Sequence, residues 1–283
     1  MFGELSRADP GSRIGPGSVD RSPHRRPWPA GRVGEEGIAV FAGLRRPGVR
    51  RPLVVVASPR EVLAAADPRL LGTAERVRSE AFRHPADREA YVAAHLLVRG
   101  CAALLTGRAA DGMSVHQWCT ECGTAGHGRP SLAGMPDVQV GWAHTRGAVV
   151  AAAAWDRVGV DVEELPRDGA ARELLAVLTP AERSQARSAA QPSARALRYW
   201  VRKECLVKAG EVAPAGMAHV DLSRVAERID SAGRSVSRYR GLHLVDWWDP
   251  AREVQVAVAG AAAPLTCAIA EVIDGTAGWS TIL

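Results

Sequence analysis

Gly159-Val-Asp161-Val-Glu163 and, further along, Trp200-Val-Arg-Lys203-Glu204-Cys-Leu-Val-Lys208 are the two stretches on which the reading of this chain turns. In the first, residues two apart on a strand face the same way, so Asp161 and Glu163 present two carboxylates to one side while Val160 and Val162 turn to the other. In the second, Trp200, Glu204 and Lys208 recur one helical turn apart and share a stripe, with Lys203 on its edge. Only two of the 36 Lys and Arg side chains are lysines, and both are here. Lysine carries a compact ammonium with a tunable pKa, whereas arginine is a planar fork that stays protonated, so a site that moves a proton or needs a point charge distinguishes them.

Taken singly, each pattern is ordinary. An Asp-x-Glu strand is usually a solvated face, and a Glu-Lys pair one turn apart on a helix surface contributes about 0.3–0.5 kcal/mol. Together, Asp161, Glu163 and Glu204 make a hard, all-oxygen donor set of the kind Mg²⁺ takes alongside phosphates and waters, and a lysine beside it would meet a phosphate.

Working outward, Val138, Val140, Trp142 and His144 alternate as a half-buried strand does, and Ala148–Trp155 and Val158–Glu163 read as paired strands around Asp156-Arg157. Leu53–Ala57 reads as a buried strand, and a helix is expected from Asp87 to Leu105, stopped at Gly107. Thr179-Pro-Ala-Glu182 is a capping box with proline at the first helical position. A helix over Ala194–Ala209 follows, then strands over Leu242–Trp248, Glu253–Val258 and Thr266–Ile273. Strands and helices mix with hairpins rather than in regular βαβ order, which predicts the α+β class.

The chain has 283 residues, of which 47% are hydrophobic and 24% charged, within the range of an ordinary globular protein. Its net charge of +5 follows from an Ala-, Arg- and Gly-heavy usage typical of GC-rich coding, and attracts acidic partners in a general way. Five cysteines are an odd number, and the absence of a secretory h-region or a long apolar run points to a reducing cytoplasm and no membrane. Cys119 and Cys122 form a C-x-x-C followed by His127, which could open a zinc site; a structural site needs four ligands and no second pair appears, so ligand count favours a turn with reduced thiols. Residues 1–37, rich in Pro, Gly and Arg without apolar periodicity, are expected to be disordered. Asp9, Asp20 and the prolines argue against a transit peptide there.

The two core motifs, in this order and at this separation, resemble those of the 4′-phosphopantetheinyl transferases. Phe82-Arg83-His84, Asp87-Arg88, Leu97-Val-Arg99, His127-Gly-Arg129-Pro130 and Trp142-Ala-His144-Thr145 agree in order, so the resemblance runs over roughly residues 75–260. Length matches the two-subdomain, Sfp-type branch rather than the small trimeric one. The resemblance implies two similar α+β subdomains related by a pseudo-twofold axis, about 38–158 and 159–283, with coenzyme A in the cleft and a monomer sufficient. It implies transfer of the phosphopantetheine arm of coenzyme A to a serine of an acidic apo carrier protein domain (acyl, peptidyl or aryl), releasing adenosine 3′,5′-bisphosphate. Asp161, Glu163 and Glu204 would hold Mg²⁺ on the coenzyme A pyrophosphate. Glu204 would be the base for the carrier serine, Lys208 would neutralise the leaving phosphate or supply a proton, and Lys203 would add positive charge nearby. Trp200 would pack at the subdomain seam. Arg129 and His144 resemble positions that touch coenzyme A. Ala143 stands where serine is common, and Ala90 stands where an arginine often grips the 3′-phosphate, leaving that grip to Arg88, Arg78 or Arg83.

Two other readings compete. A Mg²⁺-dependent nuclease or phosphatase also uses Asp, Glu and Lys, but its Glu-x-Lys lies on one strand, whereas here Glu204 and Lys208 follow a helical spacing. A basic nucleic-acid-binding protein would suit the charge, yet the arginines are spread along the chain without a binding motif or an interleaved aromatic stripe.

Overall fold

The computed structural model describes residues 51–119, 122–166 and 171–274, all inside the unit Val40–Leu283; the tail expected over 1–37 lies outside the described residues. β1 (Leu53–Ala57) leads into α1 (Pro59–Ala65), which Ser58 and Glu61 close with a capping box. α2 (Thr73–Glu80) precedes α3 (Pro85–Thr106), which stops at Gly107 in the left-handed conformation, φ 68°. β2 (Val115–Trp118) and β3 (Arg129–Leu132) form a separate hairpin. β4 (Gln139–His144), β5 (Val149–Ala154) and β6 (Val158–Glu164) come next. α4 (Ala171–Ala176), α5 (Pro180–Arg187, with the expected Thr179–Glu182 box) and α6 (Pro192–Lys208) follow. The chain then runs through β7 (Glu227–Ile229), β8 (Ser235–Tyr239), β9 (Leu242–Asp249), β10 (Val254–Gly260) and β11 (Leu265–Cys267) to α7 (Ile269–Asp274).

The strands assemble into one sheet of order β11-β1-β5-β4, a second of order β6-β10-β9-β8-β7, and the β2-β3 hairpin. This overturns the expected pairing of the strands around Asp156-Arg157: β5 pairs with β1 and β4, while β6 pairs with β10. β5 is apolar on both faces and β6 on the face of Val158, Val160 and Val162, so the chain gains more by turning the corner and stacking the two as layers than by leaving them edge to edge. Val150, Ala152 and Ala154 of β5 meet Val158, Val160 and Val162 of β6 and Val254, Val256 and Val258 of β10 in a seam of small side chains. The outer face of the first sheet, through Val149, Ala151 and Ala153, is covered by α3 with Leu96 and Leu97. The outer face of the second, through Ala257 and Ala259, is covered by α6 with Val201, Cys205 and Leu206.

A second correction concerns the last strand. The strand expected over Thr266–Ile273 ends at Cys267, and Ile269 begins a helix, because Ile269 and Val272 fall one turn apart against the first core. β11 lies parallel to β1, so the C-terminal segment returns to the first sheet. β7 and β8, too short and polar to signal themselves, were not foreseen.

Alternation in β6 decides where the acids go: with the valines in the seam, Gly159, Asp161 and Glu163 face α6. Gly159 sets the spacing. A Cβ there would sit 2.1 Å from the Cys205 carbonyl oxygen and 2.3 Å from the Ala209 amide nitrogen, so only glycine lets the end of α6 lie on the strand.

Gly159→Ala is therefore expected to cost about 3 kcal/mol or more in chemical denaturation, since backbone rather than a movable side chain must yield. Gly141→Ala is the control: its Cβ would meet nothing closer than Val160 Cγ2 at 3.8 Å, and its midpoint should stay near that of the unsubstituted chain.

Candidate active site

α6 carries two of the predicted groups, and its last turn is held in place from several sides. It ends in a Schellman motif: Gly210, at φ 75°, donates to the Val207 carbonyl at 2.8 Å, and Glu211 donates to Leu206 at 3.0 Å. Arg157, at the corner between β5 and β6, pairs with Glu211 at 3.0 Å. Lys208 thus stands at the negative end of a helix whose position over β6 is fixed.

Lys208 Nζ lies 2.6 Å from Asp161 Oδ1. Asp161 is 2% exposed and its Oδ2 has no hydrogen-bond partner among the described residues. Glu204, 5% exposed, lies one turn before Lys208 on the same stripe. Burial raises the Glu204 carboxyl, the Asp161 charge raises it further, and Lys208 opposes both. Burial and then the Asp161 charge push Glu163 up to about 8, against the pull of Lys208 and a hydrogen bond from Trp200. The Lys208 ammonium is raised: burial works against it, but Asp161 and Glu204 outweigh that cost. Lys208 acts on all three carboxylates, and Glu163 and Glu204 are nevertheless driven toward their protonated forms. An orphaned buried carboxylate oxygen and an excess of negative charge are what a hard divalent cation would relieve, so the donor set fits Mg²⁺. The three carboxylates are not gathered to ligand distance: among the described residues, the group of three such donors with all atoms within 4.8 Å is Cys119, Cys122 and His127.

Lys203 is not part of this cluster. It is 1% exposed and its Nζ donates to Glu182 Oε2 and the Val177 carbonyl, both at 2.6 Å. One residue earlier on the helix is a quarter turn or more around the axis, which aims Lys203 at α5. Glu182 Oε1 accepts from Leu222 N at 2.8 Å, so the pair ties together three segments of the second core. Trp200 is partly buried against that core and its indole hydrogen-bonds Glu163.

His144 ends β4. Burial brings its pKa down to about 4, helped by the charges of His95 and Lys208, so it is neutral at pH 7. The influence of Lys208 marks how near the end of the first sheet comes to the cluster. Arg129 is exposed, donates to Gln139 Oε1 at 3.1 Å, and rests on the turn after α6, with Nη1 3.0 Å from where a Gly210 Cβ would be. Arg88 is half-buried on the first turn of α3, beside Asp87, which pairs with Arg146 at 2.7 Å. Arg78 is exposed and covers the Phe82 ring, 5.8 Å from its centroid, and Arg83 is exposed between α2 and α3.

Sequence reading missed a buried network behind His144. Glu75 accepts from both outer nitrogens of Arg99, at 2.9 and 2.6 Å, and lies 2.6 Å from His95 Nδ1. Burial would raise its carboxyl, but His95 and Arg99 hold it at about 2. The His95 ring lies 4.6 Å from that of Trp142 and 4.2 Å from that of Tyr91. The one available signal was the spacing of His95 and Arg99, one turn apart on α3.

Residues 157–257 match the 4′-phosphopantetheinyl transferase superfamily. The matched span opens just before β6 and closes inside β10, so it contains Asp161, Glu163, Glu204 and Lys208 together with the elements that bring them close. No curated protein matches the chain.

Two measurements follow from this electrostatic arrangement. Because the folded-state pKa of Glu163 is raised from 4.5 to about 8, its contribution is fully present below pH 4.5 and is lost as pH rises through about 8. His144, lowered to about 4, works in the opposite direction up to its ordinary value of 6.5, so metal-free protein should lose thermal stability between pH 6.5 and about 8, and Glu163→Gln should flatten that loss. The depressed carboxyl of Glu75 acts below pH 4.5 and does not mask it. Separately, Lys203→Met should lower stability by about 3–5 kcal/mol by stranding the buried Glu182 carboxylate, and adding Glu182→Gln should restore part of it in a double-mutant cycle.

Proposed function

We propose that this protein transfers the 4′-phosphopantetheine arm of coenzyme A to a serine of an apo carrier protein domain. The observation that carries the reading is the packing of α6 on β6, which sets Glu204 and Lys208 of the helix against Asp161 and Glu163 of the strand inside the span that matches the superfamily. On this reading the two sheets, each covered on its outer face by one long helix, α3 or α6, are the two similar halves of an Sfp-type monomer, and coenzyme A lies where their ends meet.

Asp161, Glu163 and Glu204 would hold Mg²⁺, which supplies charge neutralisation on the pyrophosphate oxygens. The serine Oγ attacks the phosphorus that bears the pantetheine arm, an Oγ–P bond forms, and the P–O bond to adenosine 3′,5′-bisphosphate breaks. Glu204 takes the serine proton, and its raised pKa brings it nearer to neutrality, where a base is most effective. Lys208 stays an ammonium, so of its two possible roles the one supported is holding charge on the leaving phosphate. Arg129 and neutral His144 flank the cluster from the side of the first sheet and would position coenzyme A, with Arg88 closest in burial to a 3′-phosphate grip. The net charge of +5 suits an acidic carrier, and the lack of a helix able to cross a membrane among the described residues accords with the cytoplasm.

The nuclease reading is weakened because Glu204 and Lys208 stand on a helix. The nucleic-acid reading is weakened because arginines such as Arg99, Arg198 and Arg202 are spent on carboxylate pairs inside the fold.

Incubation with coenzyme A, Mg²⁺ and an apo carrier domain should add a phosphopantetheine mass increment to the carrier. Glu204→Gln should lower the rate by about 10²-fold or more, while its thermal midpoint without metal stays level or rises because a like-charge contact is gone. Near-normal turnover by Glu204→Gln would refute the site, and phosphodiester hydrolysis without carrier modification would favour the nuclease reading.

A further inference from the structure

The hairpin of β2 and β3 gathers a second set of donors, away from the carboxylates. Cys119 follows β2 directly, Cys122 and His127 lie in its connection to β3, and one donor atom from each falls within 4.8 Å of the others. Cys122 Sγ is 3.0 Å from His127 Nε2 and 3.0 Å from Thr124 Oγ1. The backbone presents the two sulfurs to one point: Gly123, at φ 67°, donates to the Cys119 carbonyl at 2.9 Å, and Cys119 donates to Thr124 at 2.9 Å. Gly128 closes the loop so tightly that a Cβ would lie 2.4 Å from the Trp118 carbonyl oxygen.

The element has little core of its own, since Leu132 and Val115 pack into the first core. The hairpin is a two-stranded sheet separate from the larger two, β3 buries Leu132 alone, and Trp118 is 56% exposed. Isolated hairpins are marginal in water, and elements with so small a core are commonly stapled by a metal or a disulfide. The ligand count that favoured a plain turn in the sequence therefore yields to the geometry, in which three donors of two soft types converge.

We propose that Cys119, Cys122 and His127 bind Zn²⁺, and that the ion staples the hairpin. Two sulfurs and an imidazole select Zn²⁺ over the oxygen-seeking Mg²⁺, and the fourth tetrahedral position is filled by water or an added donor. Each thiol gives its proton to solvent on binding and nothing is oxidised or reduced. The staple's effect falls on Arg129, which opens β3 two residues after His127 and reaches the turn that ends α6. The metal site stands apart from the transferase reading, and neither fails with the other.

The test is elemental analysis of the full chain, purified under reducing conditions without a metal column or chelator, with Co²⁺ substitution as the second probe. About one zinc per chain is expected, and the Co²⁺ protein should show thiolate-to-cobalt charge-transfer absorption. Cys122→Ser, at an exposed position that leaves the core intact, and His127→Ala should each lower bound metal by about tenfold or more with unchanged far-ultraviolet circular dichroism. Chelation should speed amide exchange over residues 115–118 and 129–132 by about tenfold while leaving α6 protected. Protein that carries no zinc and takes up no Co²⁺ after reduction overturns the site. So does metal retained undiminished in both variants, while unchanged exchange after chelation overturns the staple.

Discussion

The approach of α6 to β6 over Gly159 is the constraint on which the rest depends. A helix packed on a sheet normally stands off by the thickness of the side chains between them, and here that thickness is removed at one point, where the Cys205 carbonyl and Ala209 amide meet the glycine. The consequence is chemical as well as steric. An ammonium at the end of the helix reaches a carboxylate two positions along the strand, and a glutamate one turn earlier falls under the same field. The seam of valines and alanines on the other face of β6 fixes which residues can point toward the helix, because a slip of one residue would exchange Val160 for Asp161.

The fold treats its buried charges in two ways. Lys203 with Glu182, and Arg198 and Arg202 with Asp246 and Glu227, are paired nearly one to one and hold elements together. Glu227 is held at about 2 by those arginines in spite of burial, the behaviour of a satisfied carboxylate. Around Lys208 the balance is broken: Glu163 rises to about 8 and Asp161 keeps an oxygen without a partner among the described residues. A folded chain tolerates such imbalance where it is offset by a ligand or serves a reaction, since neutralising one acid by mutation would be easy. That contrast separates the site from the structural pairs in the same sheet.

Much of the site was legible because it follows two short periods. Alternation placed Asp161 with Glu163, the turn of a helix placed Glu204 with Lys208, and the scarcity of lysine drew attention to the second stretch. Scarcity also misled, since it treated Lys203 and Lys208 alike. A difference of five positions turns the helix well past a full revolution, and only the neighbours, Glu182 for one and Asp161 for the other, decide what each does. The pairing of β5 with β6 was misread because adjacency and a two-residue corner are the signature of a hairpin, while the alternative, two sheets stacked through the corner, depends on β10 and β1 far away in sequence. Gly159 could have been singled out, as a glycine inside a strand marks a close backbone approach, but the identity of the approaching helix was not local information.

The two sheets bring different kinds of group to one place, and the seam explains why they can do so with precision. From the second sheet and its helix come charges; from the first come a neutral imidazole at His144 and, through the small hairpin, the cation of Arg129. Burial, then the charges of His95 and Lys208, lower the pKa of His144 and keep it neutral well below pH 7, so the ammonium that holds Asp161 also acts on a residue of the opposite layer. Small side chains in the seam leave few voids and few rotamers, so the layers have little freedom to slide. Cross-links at the rim act in the same sense: Glu164 of β6 accepts from Gly147 beside β5, and Arg252 after β9 reaches Glu61 on α1. Groups of opposite layers held this way do not need a closing motion to meet. What remains adjustable is Arg129, the contributor that hangs on an element with almost no core of its own.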